Sequence, residues 1–240
     1  MPRIPLPALV AVSLMALAAS GLRPAGAAEL KPVSAEYRVL RNGDALGTAT
    51  MRLEPGADGD WQFSTETRGS AGLAALLGLK VRTDSRFRLI DGQPESLDYR
   101  YALKSGIKDN SNSLSFDWTT RQARYQDRKG SHTFALDGRA LDRNVTTLAL
   151  GMAVADGAHG TLVLPVALRD HISQQHYAIG ARAPLGVPAG TYQAIKVERS
   201  DADNGIRAWY APPLLLPVKF EQRDDKGDVT VMELARAPAG

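Results

Sequence analysis

From position 80 to 90 the chain alternates strictly. Val81, Thr83, Ser85, Phe87 and Leu89 fall on one side, and Arg82, Asp84, Arg86 and Arg88 on the other. A period of two sends successive side chains to opposite faces of a strand. This segment therefore reads as a β-strand with one face in a core and one in water. The same pattern recurs at 33–41 and 44–54, at Trp61, Phe63, Thr65 and Thr67, at Leu97, Tyr99, Tyr101 and Leu103, and at Leu114, Phe116 and Trp118. Tyr125, then Phe134 and Leu136, add two shorter strands. Turn signals separate the runs. Asn42-Gly43 is the strongest, because both residues tolerate the positive φ of a type I′ hairpin. The 55–60 segment, Asp91-Gly92-Gln93-Pro94 and the run Asp224-Asp225-Lys226-Gly227-Asp228 punctuate the rest.

The period changes at Asp142, which is placed to cap a helix. Val145, Leu148, Ala149 and Met152 follow at helical spacing; Gly151 weakens the helix and Gly157 ends it. Alternation returns at 162–168, 172–179, 191–199, 206–211, 217–223 and 229–234. About 13 strands and one clear helix predict a mainly β fold: a single antiparallel, strongly curved sheet or barrel-like domain with one or two short helices. One apolar face per strand means one core, so 28–240 reads as a single β domain. A lipid-facing barrel does not fit. Aromatics make up only 6% of the chain, several strands are short, and the last one ends without an aromatic.

Residues 1–27 read as a signal peptide. Arg3 supplies the basic start, 8–19 is apolar apart from Ser13, and Ala25-Gly26-Ala27 fits cleavage after Ala27 or Ala28. The apolar run falls short of the roughly 20 residues that a membrane span needs. The expected location is the periplasm, with no stable span once the leader is gone. The chain carries 29 Lys+Arg against 26 Asp+Glu, a net +3; without Arg3 and Arg23 the excess falls to +1. That balance speaks against nucleic acid as a partner. With no cysteine, disulfides, thiolate metal sites and thiol catalysis are ruled out.

Tyr37-Arg38-Val39 with Asn42-Gly43 and Leu46-Gly47, Leu76-Leu77-Gly78-Leu79 leading to Ser85-Arg86-Phe87, and Asp91-Gly92-Gln93-Pro94 with Tyr99 form an ordered series. It continues through Pro188-Ala189-Gly190-Thr191-Tyr192 with Ala194-Ile195-Lys196-Val197-Glu198, and Trp209-Tyr210-Ala211-Pro212 with Leu216-Pro217-Val218. In this order the motifs resemble the exported bacterial family called domain of unknown function 3108. The resemblance implies a periplasmic, mainly β protein of unassigned activity, and brings no catalytic residues.

No catalytic constellation emerges from the residues themselves, so the chain reads as a non-enzyme without cofactor or metal, with a hydrolase as the remaining alternative. There is no G-x-S-x-G elbow. Ser105 and Lys108 match S-x-x-K but sit beside Gly106 in a turn. His171 and His176 are five apart, on opposite faces of a strand. Asp201-Ala202-Asp203-Asn204-Gly205 lacks the ligand set of a calcium loop and reads as a hairpin turn. Asn144-Val145-Thr146 is a glycosylation sequon by pattern, but it falls inside the helix. The basic residues Arg82, Arg86, Arg88, Arg100 and Lys104 share faces with Asp84 and Asp98 and read as a solvated sheet surface.

The segment 71–79 is apolar all round, with Leu73, Leu76 and Leu77 at helical spacing. It reads as a short helix that plugs one end of the curved sheet, or as a lid or partner-binding patch over an apolar cavity. Two functions compete. The first is a binding module for an apolar or lipid-like ligand, lined by Trp61, Phe63, Leu73, Leu76, Leu77, Leu79, Tyr99 and Tyr101. The second is a structural or assembly protein of the cell envelope, with a filled core and a protein partner.

Overall fold

The computed structural model describes residues 30–202 and 205–239. One meander comprises β1 (Val33–Arg41), β2 (Asp44–Pro55), β3 (Trp61–Gly69), β4 (Lys80–Ile90), β5 (Gln93–Lys104), β6 (Asn110–Asp117), β7 (Gln122–Asp127) and β8 (Gly130–Ala135). A single-turn helix, α1 (Gly72–Leu76), joins β3 to β4. Helix α2 (Arg143–Ala155) leads into a second meander of β9 (Gly160–Ala167), β10 (Ile172–Val187), β11 (Gly190–Arg199), β12 (Ile206–Tyr210), β13 (Lys219–Arg223) and β14 (Val229–Ala239). Pairing of β1 with β14 fuses the two meanders into one 14-stranded antiparallel sheet with β8 and β9 at its edges. Among the described residues the fold is mainly β, with a curved sheet and two α-helices.

The hairpins follow the turn chemistry. Asn42 and Gly43 take φ of 51° and 91°, and Asp91 and Gly92 take 52° and 75°. Both pairs hold the left-handed conformations of a type I′ turn, whose twist matches the flanking strands. Along β4, Arg82 and Arg86 face water while Ser85 and Phe87 are buried. On the outer face the charges pair across strands. Arg82 lies opposite Glu66 and also reaches Asp84; Arg86 bonds Asp98 and Asp60; Arg88 bonds Glu95.

The sheet wraps around α2, which touches β3, β4, β5, β9 and β12. Ten of the helix's residues are buried, among them Val145, Leu148, Leu150, Met152 and Val154. They pack against Tyr37, Leu53, Phe63, Tyr177, Tyr210 and Leu234 from both meanders. The edges β8 and β9 do not pair with each other. The connection before α2 bridges the gap instead. Ala140 O accepts from Ser96 N of β5 at 3.1 Å, Leu141 N donates to Pro165 O of β9 at 2.9 Å, and Ala167 N donates to Leu141 O at 2.8 Å.

Two expectations change. The leucine-rich segment is no plug: Leu73 and Leu76 are 67% and 82% exposed, and α1 rests on the outer ends of β2 and β3. A single turn has too few neighbours to bury itself, and α2 already occupies the interior. The run 172–179 is only half of β10, which continues to Val187 past a bulge between Ile179 and Arg182. β9 begins opposite Ile179, so the far half of β10 has a free edge on that side. Pro184, which has no N–H to give, is tolerated there. The expected leader and the turn residues Asp203 and Asn204 lie outside the described residues.

Candidate functional site: a cleft inside the sheet

Strand register builds the site. Met51, Thr65, Thr83, Tyr101 and Asn112 are successive partners across β2 to β6, and all point inward. The next inward row is Phe63, Ser85, Tyr99, Leu114 and Tyr125. The N-terminal turn of α2 crosses the sheet's interior beneath these rows. Where it covers them, at Phe63 and Ser85, the interior is closed. Where it does not, a cleft of about 660 Å³ remains, floored by Arg143, Asn144 and Thr147.

The far wall of the cleft comes from the second meander: Ile206, Phe220, Gln222, Thr230 and Met232. These residues sit at the same end of the sheet as the Asn42-Gly43 hairpin, since Thr230 pairs with Arg41 and Ile206 with Gln222. The opposite end is filled. Leu215 O comes so close to Gly151 that a Cβ there would stand 2.0 Å from it, and the Tyr210 and Tyr37 hydroxyls donate to Thr147 O and Pro217 O at 2.7 and 2.9 Å. The molecule is thus a cup, closed at one end by α2 and the 211–218 connection and open at the hairpin end.

A buried polar network fixes the floor. Asp142 has no exposure and caps α2. Its Oδ1 accepts from Ser85 Oγ at 2.8 Å, Asn144 N at 2.8 Å and Val145 N at 3.0 Å; its Oδ2 accepts from Ser96 Oγ at 2.7 Å. Asn144 Nδ2 donates to Phe63 O at 2.8 Å, while Asn144 Oδ1 accepts from Thr65 and Thr83 hydroxyls at 3.1 and 3.2 Å. Burial pushes the Asp142 carboxyl above its ordinary value, against the opposing pull of these hydrogen bonds. The network ties the helix to β3, β4 and β5. It leaves no Asp142 oxygen free for chemistry, so its role is positioning.

The cleft wall is amphiphilic. Burial pushes the phenols of Tyr99 and Tyr101 up, so both remain neutral donors. Among the described residues, the Arg143 guanidinium has no carboxylate within ion-pair distance. Arg169 lies 3.5 Å from Asp127 and 5.9 Å from the centre of the Tyr125 ring. Among the described residues no group of three His, Asp or Glu side chains is set to hold a metal ion.

Of the eight residues expected from sequence to line a ligand, Tyr99 and Tyr101 line the cleft and the other six do not. Phe63 has no exposure and lies under α2; Trp61 is half-buried against the core. Leu73 and Leu76 face solvent, and Leu77 and Leu79 are half-buried at the rim, where Leu77 O accepts from Gly106 N at 2.8 Å. Asn110, Asn112, Tyr125 and Arg143 also line the cleft, and nothing in the sequence marks them as ligand-facing, although Tyr125 reads as part of a strand. The asparagines follow the Ser105–Lys108 turn and carry no apolar mark, although they continue the alternation of Leu114 and Phe116 backwards. Ser105 forms a polar turn, accepting from Lys108 N at 3.0 Å.

The family model described as "Protein of unknown function (DUF3108)" matches residues 35–234, and the chain belongs to that family. No match was found among curated proteins. A solved structure described as a beta-barrel-like protein of domain of unknown function DUF1849 from Brucella abortus is similar, with a TM-score of 0.43 and 12% identity, over 88% of this chain and 98% of that one. No helix among the described residues is long and apolar enough to cross a membrane.

Proposed function

We propose that the protein is an exported periplasmic binding module whose cup holds a single-chain amphiphile. The observation that carries this reading is the cleft. Its volume of about 660 Å³ falls within the range typical of small-molecule sites, whereas the envelope-assembly reading requires a filled interior. The lining suits a ligand with two unlike ends. Met51, Val81, Leu114, Phe220 and Met232 offer an apolar path, and Arg143 with the tyrosine hydroxyls offers a polar terminus. Each methylene taken from water contributes about 0.8 kcal/mol, so a chain of moderate length binds without any covalent step. The basic, apolar, small-residue order of 1–27 supports export.

Titration calorimetry with laurate tests this. The purified chain is expected to bind one laurate. Val81→Trp, which fills the cleft from its wall, is expected to weaken binding at least tenfold while leaving the unfolding free energy in urea within about 0.5 kcal/mol of wild type. Absence of binding, or equal binding by Val81→Trp, overturns the proposal.

A further inference from the structure

We infer that the rim of the cup docks on an anionic lipid surface, through an apolar tip formed by α1 and the 105–109 turn. Among the described residues five large hydrophobic side chains are well exposed, and three of them gather here: Leu73 at 67%, Leu76 at 82% and Ile107 at 79%. The two segments form one unit, because Gly106 N donates to Leu77 O and the Leu77 side chain lies against Gly106. Single exposed leucines are ordinary; a group of three on a projecting turn marks an interaction site.

Position and charge say what covers the tip. Val81 is the second residue of β4, the strand that α1 leads into, Asn110 immediately follows the turn, and both line the cleft, so the tip stands at its mouth. Lys104 and Lys108 flank the tip and, among the described residues, make no ion pair, whereas on the sheet's outer face Arg82, Arg86 and Arg88 each hold a carboxylate. Asp109 is the acidic side chain of the turn; behind it Lys80 and Arg68 share Glu66. A small apolar tip inside a basic collar matches a bilayer whose acyl chains lie beneath anionic head groups. A protein pocket would demand a larger and more shaped patch than three side chains supply. Docked in this way, the mouth faces the membrane, and an amphiphile passes between bilayer and cup without crossing open water.

Vesicle flotation tests the inference with the full processed chain. Wild type is expected to float with phosphatidylcholine vesicles containing about a third phosphatidylglycerol and to bind pure phosphatidylcholine at least several-fold less. Leu76→Asp combined with Ile107→Asp is expected to lower partition about tenfold or more, and Lys104→Glu with Lys108→Glu to abolish the preference for anionic vesicles. Ile90→Asp serves as the control, since Ile90 is 44% exposed at the closed end of the cup and should change nothing. Laurate binding by the Leu76/Ile107 variant is expected to match wild type, which separates failure of docking from failure of the ligand proposal. Absence of flotation, equal flotation by all variants, or self-association abolished by Leu76→Asp would overturn the inference.

Discussion

Asp142→Ala is expected to destabilise the fold by about 4 kcal/mol in urea unfolding at neutral pH. Two contributions add. The first turn of α2 loses its cap at Asn144 N and Val145 N, worth about 1 kcal/mol. In addition, the hydroxyls of Ser85 and Ser96 lose their acceptor in a space sealed from water, each costing about 1–3 kcal/mol. A loss below about 1 kcal/mol would show that the network does not anchor the helix. Asp142→Asn isolates the ionisation. Burial raises the folded-state carboxyl above its unfolded value of about 3.9, so the folded state holds the proton more firmly. The stability this contributes is complete below the unfolded value and is lost as pH rises through the folded one. Wild type should therefore gain on Asp142→Asn as pH falls from neutrality through the folded value toward the unfolded one of about 3.9. A difference that stays flat or shrinks would contradict the direction.

Gly151→Ala should cost about 3 kcal/mol, although helix propensity alone favours alanine by about 1 kcal/mol. The added Cβ would stand 2.0 Å from Leu215 O and 3.0 Å from Tyr210 Cε1. The obstacle at 2.0 Å is backbone, so rotamer changes cannot relieve it. Relief requires α2 to withdraw from the 211–218 connection, which weakens the Tyr210-to-Thr147 hydrogen bond of 2.7 Å as well. A variant as stable as wild type would mean that the closed end of the cup is loosely packed.

The frame of the sheet was legible because strand formation is local. Alternation from 80 to 90 gives β4 its observed bounds, Asn42-Gly43 and Asp91-Gly92 form the hairpins their residue types demand, and Asp142 caps α2. Occupancy of the interior was less legible, since it depends on which segment reaches it first. The apolar run 71–79 has the composition of a buried helix, yet a single turn on a short connection cannot reach the interior. The segment that fills it, α2, opens with Asp142, Arg143, Asn144, Thr146 and Thr147, a polar start suited to a surface helix until its partners Ser85, Ser96, Thr65 and Thr83 come into view. The cleft inherits this uncertainty. Tyr99 and Tyr101 are legible because the alternation of β5 puts both on the inner face. Asn110 and Asn112 give no such signal, because an amide next to a turn carries no sign that it points inward.

Methyl NMR with ¹³C-labelled methionine tests the central claim most directly. Met51 and Met232 line the cleft, while Met152 lies in the closed core beneath it. On titration with laurate, the Met51 and Met232 methyl signals are expected to move and saturate together, with Met152 unmoved. If all three move alike, or if Met152 moves while the cleft methionines stay still, the cup does not hold its ligand where the fold leaves room for one.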